Sequence, residues 1–145
     1  MNFRNMNRDF APGLRIDRSN IDGKGCFATR QFLQHQRVAE YIGERITLVE
    51  AERRRQDRCR KSICDVDLHS SIDGSFCGNG TEYINHSCEP NCYVVVVQGR
   101  IFLHAIRDIA AGEEITTSYL YELSLEGTRC RCHSFSCTEG VRSDE

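Results

Sequence analysis

The 145-residue sequence has neither a strong net charge nor a long apolar run, and each absence excludes a class of protein. A formal net charge of −2 gives no whole-chain basis for nucleic-acid binding and fits a basic peptide partner better. No apolar run approaches membrane-spanning length, so we expect a soluble protein without a membrane partner. Residues 1–10 contain no apolar core and therefore predict no secretory signal. With no repeat and no low-complexity linker, the chain is expected to form one globular domain.

Cysteine, by contrast, is abundant, with nine residues in the chain. Because no secretory signal is recognised, we expect an intracellular, reducing setting, where clustered cysteines are typically metal ligands. Such a cluster occurs at Cys130, Cys132 and Cys137, and it needs a fourth ligand. Alternatives are a Cys130–Cys132 disulfide, which so tight a loop would strain, and replacement of one thiolate by His133.

The run from Asn85 to Cys92, Asn-His-Ser-Cys-Glu-Pro-Asn-Cys, places several chemically capable groups close together. The Asn85 amide both donates and accepts hydrogen bonds, and His86 adds an imidazole. Cys88 is a soft metal ligand, and Pro90 favours a turn that prevents a helix from continuing. Cys88 and the three downstream thiolates would have the composition of a closed structural zinc site.

Short alternating or β-branched stretches separated by glycine turns predict a mostly-β domain of small sheets with one helix. Gln98-Gly99-Arg100, between two such stretches, gives the strongest hairpin signal. Thr47 is predicted to cap a helix through Arg55, with Glu50 completing a capping box. Strands are predicted at 14–17, 37–42, 64–66, 71–73, 93–97, 101–106 and 113–119.

A basic run follows that helix, from Arg53 to Lys61. It is consistent with a nucleic-acid or nuclear-import patch, but a solvated helix face and loop is the favoured interpretation. We therefore do not expect direct nucleic-acid binding.

Four segments together resemble the SET domain, the fold of a large family of protein-lysine N-methyltransferases. In the family's order they are Ile21–Ala28, with its Gly-x-Gly turn, Glu40–Glu44, Tyr83–Asn91 and Gly112–Tyr119. The spacing Cys130-x-Cys132-x4-Cys137 resembles the family's post-SET zinc segment, and no cysteine-rich pre-SET segment is recognised.

The resemblance covers residues 14–141 and implies how the chain is organised. We expect a flexible lead-in at 1–13, a SET domain at 14–121 and a post-SET zinc-binding tail at 122–145. The implied fold is mostly β, with several small sheets, a short helix and a knot-like C-terminal segment.

The resemblance also implies a methyl donor, S-adenosylmethionine. The backbone around Lys24 and Gly25 would lie against its methionine part, since glycine permits close approach. The Asn85 amide would contact its amino-acid end, and the His86 backbone would meet the adenine edge. Tyr119 stands where the family keeps its catalytic hydroxyl, beside the donor.

Further implied features concern the pocket, the metal and the substrate. Tyr41 is the second predicted catalytic-site tyrosine, lining the pocket or packing beneath it. Cys88 is implied as the fourth ligand of a structural Zn²⁺ with Cys130, Cys132 and Cys137. The expected partner is a lysine-containing protein or peptide, with a histone tail as the family-level candidate. The expected location is the nucleus or chromosome in a eukaryote and the cytoplasm in a bacterium.

Three departures from the family pattern concern substrate choice and rate. Thr117 replaces a frequent aromatic two residues before the catalytic tyrosine, and Glu82 replaces a frequent arginine. No tyrosine occurs between Tyr41 and Tyr83. These departures favour one alternative, a non-catalytic SET-fold module that binds a peptide or the cofactor. Another alternative is a zinc-thiolate redox sensor.

Overall fold

A computed structural model of the chain describes residues 10–57 and 62–118. Their strands are β1 Leu14–Arg18, β2 Lys24–Ala28, β3 Arg37–Tyr41, β4 Glu44–Thr47, β5 Ile63–Asp65, β6 Ser70–Asp73, β7 Asn85–His86, β8 Cys92–Val97, β9 Arg100–Ala105 and β10 Glu114–Thr117. The α-helix α1 spans Leu48–Asp57, and a short 3₁₀ helix spans Thr81–Tyr83. The mostly-β prediction is therefore confirmed.

Three small sheets divide these strands, as expected for the SET-domain fold. Their strand orders are β1-β2-β10-β7, β3-β9-β8 and β4-β6-β5. All the pairs are antiparallel except that between β7 and β10, which is parallel. Within the two described ranges, no helix combines the length and the apolarity needed to cross a bilayer.

The ends of the predicted domain stay predictions. Residues 1–9 and 119–145 lie outside the described residues, and with them most of the lead-in, the knot-like segment and the whole zinc-binding tail. Ala11, within the predicted lead-in, is buried, and its N–H donates to the Asn79 carbonyl at 3.0 Å.

The predicted hairpin forms between β8 and β9, in a register that pairs Val97 with Arg100. Its loop is shorter than predicted because Arg100 is already part of β9. Gln98 and Gly99, the two loop residues, have φ angles of 50° and 75°. Positive φ at both central residues is typical of the type I′ turn, whose twist matches that of the flanking strands.

Thr47 caps helix α1 as predicted, but the Glu50 side chain does not complete the capping box. The Thr47 Oγ1 accepts a hydrogen bond from the Glu50 N–H at 3.1 Å, as an N-cap does. The Glu50 carboxylate instead receives the guanidinium groups of Arg53, at 2.6 Å, and Arg54, at 2.8 Å. The half of the capping box that assigned this carboxylate to the helix start is therefore wrong, because the next turn supplies two cations.

The core lies where the sheets meet, and two of the five described cysteines are buried in it. Cys26 and Cys92 are 0% and 1% exposed, among large side chains such as Phe32, Leu103 and Ile115. Burial raises the pKa of the Cys92 thiol to about 12, so it stays protonated and behaves as a small apolar side chain.

A buried ion pair joins α1 to the β4-β6-β5 sheet. The Arg54 guanidinium contacts Asp73 at 3.0 Å, and the Asp73 side chain is 0% exposed. Arg54 also contacts Glu44 at 2.9 Å and Glu50 at 2.8 Å. Burial by itself raises the pKa of Asp73, but hydrogen bonds, first from Ser75 and then from Arg54, outweigh it, so the net pKa is lowered.

We predict that Arg54→Ala destabilises the protein by roughly 3–5 kcal/mol, because it leaves the Asp73 carboxylate buried without its cation. The matched control is Arg55→Ala, which removes a pair with the 56% exposed Asp65 carboxylate. We expect a loss of at most about 1 kcal/mol for this exposed pair. Urea denaturation of both variants gives the comparison, and equal losses would contradict a special strength of the buried pair.

We predict that the stabilisation contributed by the ionised Asp73 carboxylate is lost at strongly acidic pH. Since the folded-state pKa lies below the usual 3.8, the contribution is fully present above that value. It is lost as the pH falls through the lower, folded-state pKa. Urea denaturation between neutral and strongly acidic pH should show this loss in the wild type and not in Asp73→Asn.

Candidate functional site

The centre of the site is the Asn85 side chain, which is 2% exposed and fastens a turn to the end of β7. Its amide nitrogen lies 3.0 Å from the Lys24 carbonyl, 3.2 Å from the Asp22 carbonyl and 3.1 Å from the Ser19 Oγ. It also lies 2.9 Å from the Glu114 Oε1. Every one of these neighbours is an acceptor, so the network itself assigns the nitrogen side of the amide.

Ser19 and Glu114 complete this network. The Ser19 hydroxyl donates to the Glu114 Oε1 at 2.7 Å and accepts the Ile21 N–H at 2.9 Å. It also accepts the Asn85 amide and, at 3.4 Å, the Asp22 N–H, so that one hydroxyl serves four partners. The turn between β1 and β2 is thereby held against β10 by side chains about a hundred residues apart in sequence.

Gly25 is the residue that makes room for this network. A Cβ at Gly25 would lie 2.2 Å from the Glu114 Oε1 and 3.2 Å from the Asn85 Nδ2. Only a residue without a side chain lets the carboxylate and the amide meet against this backbone. Gly25, Asn85 and Glu114 together form a polar group of contacts, here called the cradle. Such a group suits the small, polar end of a ligand.

Lys24 lies beside the cradle, and its backbone and its side chain make different contacts. Its carbonyl accepts the Asn85 amide, whereas its side chain is exposed and its Nζ lies 6.0 Å from the centre of the Tyr83 ring. Lys24, Gly25 and Asn85, which the sequence resemblance grouped as cofactor-binding, are thus brought together.

The short parallel pair of β7 and β10 forms the floor of the site. Thr116 lies opposite Asn85 and Thr117 opposite His86, and the Ser87 N–H donates to the Thr117 carbonyl at 3.0 Å. The predicted catalytic residue, Tyr119, follows β10 by two positions and lies outside the described residues.

The Asn91 side chain forms hydrogen bonds with the main chain of β10, as a neighbouring strand would. Its amide nitrogen donates to the Glu114 carbonyl at 2.8 Å, and its amide oxygen accepts the Thr116 N–H at 2.9 Å. The Asn91 backbone N–H donates to the Thr116 Oγ1 at 3.2 Å. A side-chain amide therefore supplies hydrogen bonds that a further strand would otherwise make.

His86 and Cys88 lie together at the exit of β7. The His86 Nε2 is 3.3 Å from the Cys88 Sγ, and His86 is 6% exposed. Burial lowers the pKa of the His86 imidazole, which favours its neutral form. Cys88 is half-buried, so a soft sulfur donor stands directly beside the site.

The zinc prediction can be compared with the structure only at Cys88. Among residues 10–57 and 62–118, no three metal-ligating side chains cluster. The other predicted ligands, Cys130, Cys132 and Cys137, lie outside these ranges. The four-thiolate set therefore stays a prediction, supported by the affinity of Zn²⁺ for four sulfur donors.

Tyr41, the second predicted catalytic-site residue, is held in a neighbouring group of contacts. It is 7% exposed, and its hydroxyl donates to the Ser62 carbonyl, which also accepts the Gly74 N–H at 2.9 Å. A Cβ at Gly74 would lie 2.8 Å from the Tyr41 hydroxyl oxygen. Tyr41 is thus a buried structural contact, and its place beneath a pocket stays a prediction.

The two unusual residues of the family motif are both buried. Glu82 is 6% exposed, and its Oε2 accepts the Gly80 N–H at 3.0 Å. Thr117 is 8% exposed, opposite His86. Glu82 thus acts within the loop that leads to Asn85, where a carboxylate can bind a backbone donor and an arginine could not.

Sequence reasoning gave no role to Ser19, Glu114 or Asn91. Glu114 and Asn91 stood in quoted motifs, and a pair of acidic or amide residues beside a strand could have drawn attention to them. Nothing in the local sequence marks Ser19, because its partner Glu114 is 95 positions away.

Known proteins resemble this chain in sequence over most of its length. The family model described as "SET domain" matches residues 23–120. The chain is 35% identical over 133 residues to histone-lysine N-methyltransferase set-2 of Caenorhabditis elegans, covering 86% of this chain and 9% of that protein. It is 36% identical over 135 residues to set1 of Dictyostelium discoideum, covering 87% and 9%. It is 34% identical over 133 residues to human SETD1A, covering 86% and 8%.

We predict that Gly25→Ala breaks the cradle without unfolding the chain, since the clashing carboxylate ends a flexible side chain that can swing away. Affinity for S-adenosylmethionine, the donor that the resemblance implies, should fall by about tenfold or more in calorimetry. The reason is that the displaced Glu114 carboxylate loses its hydrogen bond from the Asn85 amide.

Gly23→Ala is the matched control for that prediction. Gly23 belongs to the same turn and has a φ of 48°, but a Cβ there meets nothing within 4 Å. It should lower the thermal midpoint slightly and leave the affinity unchanged. An equal loss of affinity in both variants would show that the turn, and not the cradle, matters.

Proposed function

The chain belongs to the SET-domain family, and from this we propose that it is a protein-lysine N-methyltransferase that uses S-adenosylmethionine. The observation that carries the proposal is the cradle of Gly25, Asn85 and Glu114 beside β10, whose continuation bears Tyr119.

The residues present fit the methyl donor. Gly25 has no side chain, so the Glu114 carboxylate and the Asn85 amide can lie against its backbone. We assign the amino-acid end of the donor to Lys24, Gly25 and Asn85, and the adenine edge to the His86 backbone. When bound, S-adenosylmethionine supplies a methyl group on a positively charged sulfur, which a neutral amine accepts.

The chain's own contribution is alignment and control of a proton. A free lysine has a pKa near 10.4, so its amine must lose a proton before it reacts. We expect the lysine to enter a narrow, apolar channel, which would favour the neutral amine by desolvation and leave its proton to bulk water. Tyr119 is assigned to orient the amine through its hydroxyl, and Tyr41 to pack beneath the pocket. Holding the two reactants in line accounts for most of the acceleration.

The substrate is proposed from the relatives' names. The relatives compared above are named histone-lysine N-methyltransferases, but the chain spans only 8% to 9% of their length. We propose a lysine in a protein, with a histone tail as the first candidate, and a nuclear or chromosomal location if the source is eukaryotic.

We predict that labelled methyl passes from S-adenosylmethionine to a core histone or to a protein in a cell lysate. Tyr119→Phe should lower this labelling by roughly 100-fold, the size expected when reacting groups lose their alignment. Tyr93→Phe is the matched control, because Tyr93 lies on β8 and is 37% exposed, and it should leave labelling unchanged.

The same experiment separates the enzyme from a binding module. Cofactor binding without labelling, in both mixtures, would favour the non-catalytic SET-fold module. Labelling that persists in Tyr119→Phe would instead remove Tyr119 from the mechanism.

We also propose that Cys88, Cys130, Cys132 and Cys137 hold a structural Zn²⁺, which would tie the C-terminal tail to the loop after Asn85. We predict that metal chelation abolishes methyl transfer and increases protease cleavage of the tail. Cys88→Ser should lower the bound zinc measured by metal analysis, whereas Cys77→Ser, at an exposed cysteine, should not.

Two outcomes would oppose this role for zinc. Full activity of metal-free protein would separate the metal from catalysis. Reversible zinc release on mild oxidation, with loss and return of activity, would favour a redox sensor.

A further inference from the structure

One described carboxylate belongs to the cradle yet has no role in the proposed reaction. Glu114 is half-buried, and its Oε1 accepts both the Ser19 hydroxyl at 2.7 Å and the Asn85 amide at 2.9 Å. Its neighbour Glu113 faces another way, pairing with Arg107 at 3.0 Å and accepting the Ala110 N–H at 2.6 Å. Of these two adjacent glutamates, only Glu114 therefore contacts the cradle.

The Asn85 amide can be presented to a ligand in two orientations, and the network around it selects one. Because the amide nitrogen faces the Ser19 hydroxyl, two carbonyls and the Glu114 carboxylate, the amide oxygen is turned to the other side. Reversing the amide would place its oxygen against all of these acceptors. The carboxylate makes that reversal most costly, since a charged acceptor binds an N–H more strongly than a neutral one.

An ammonium group has donors and no acceptor, so it needs the amide oxygen and not the nitrogen. We propose that Glu114, with Ser19, is a positioning residue for the amino-acid end of S-adenosylmethionine. It fixes the Asn85 amide so that the oxygen is offered to the ammonium. This inference rests on the proposed function, because that function supplies the ligand.

The test is a double-mutant cycle on cofactor affinity, measured by calorimetry with the full chain. Glu114→Ala should weaken S-adenosylmethionine binding roughly 10- to 100-fold, as for a lost hydrogen bond to a charged group. In an Asn85→Ala background the same change should have no further effect, because Glu114 would act only through the amide. Additive losses would overturn the inference.

Two further variants at the network isolate positioning from charge and from general stability. Glu114→Gln keeps a weaker, neutral acceptor oxygen for the Asn85 amide and should lose less affinity than Glu114→Ala, whereas an equal loss in the two variants would overturn positioning. Ser19→Ala should weaken binding in the same direction. If Glu114→Ala does not fold, as judged by its thermal midpoint, Glu114→Gln and Ser19→Ala carry the test.

Glu113→Gln is the matched control, since it changes the adjacent carboxylate and leaves the cradle intact. It should bind as the wild type does, and an equal loss there would point to the strand and not to Glu114. Wild-type protein that binds no S-adenosylmethionine would reject the proposed function itself. Wild-type binding with an unaffected Glu114→Ala would reject only this inference.

Discussion

The site depends on a parallel pairing of only two residues, between β7 and β10. So short a pair has few backbone hydrogen bonds, and parallel pairing is slightly the weaker kind per residue. Two side-chain amides supply additional hydrogen bonds. The Asn85 amide donates to the Glu114 side chain, and the Asn91 amide binds the main chain of Glu114 and of Thr116. Both asparagines of the motif are therefore structural fasteners, and Asn85 is a candidate ligand contact as well.

Much of the fold could be predicted because its signals are local. The β8–β9 hairpin follows from β-branched runs around Gln98-Gly99, and the helix start follows from Thr47. The Glu50 half of the capping box failed because Arg53 and Arg54 compete for its carboxylate. Residue spacing predicts which groups can form a hydrogen bond, but the groups that compete for the same carboxylate determine which bond forms.

The site was less predictable because its contacts join distant parts of the chain. The family motifs indicated Gly25 and Asn85, and the structure brings both to one place. No periodicity or spacing links Ser19 to Glu114 across 95 positions, and so their roles emerged only from the fold. Glu82 was read as a departure that could impair function. It proved compatible with the fold, since its carboxylate binds the Gly80 N–H and stands where Gly78 leaves room.

Two partly or wholly buried carboxylates show how charge is handled differently in the scaffold and at the site. Asp73 is matched by the Arg54 guanidinium at 3.0 Å, whereas the described side chains that bind the Glu114 carboxylate, Ser19 and Asn85, are both neutral. Within residues 10–57 and 62–118 no cation pairs with the Glu114 carboxylate, and such a carboxylate beside the cradle suits a cationic ligand.

Magnitude decides how that charge at Glu114 acts. The carboxylate is half-buried but still reached by solvent, so direct attraction is screened and an ion pair of this kind contributes about 0–1 kcal/mol. A hydrogen bond to a charged group contributes about 1.5–3 kcal/mol. Its hold on the Asn85 amide therefore outweighs its direct pull on a ligand, and orientation, more than attraction, is the larger part of what Glu114 provides.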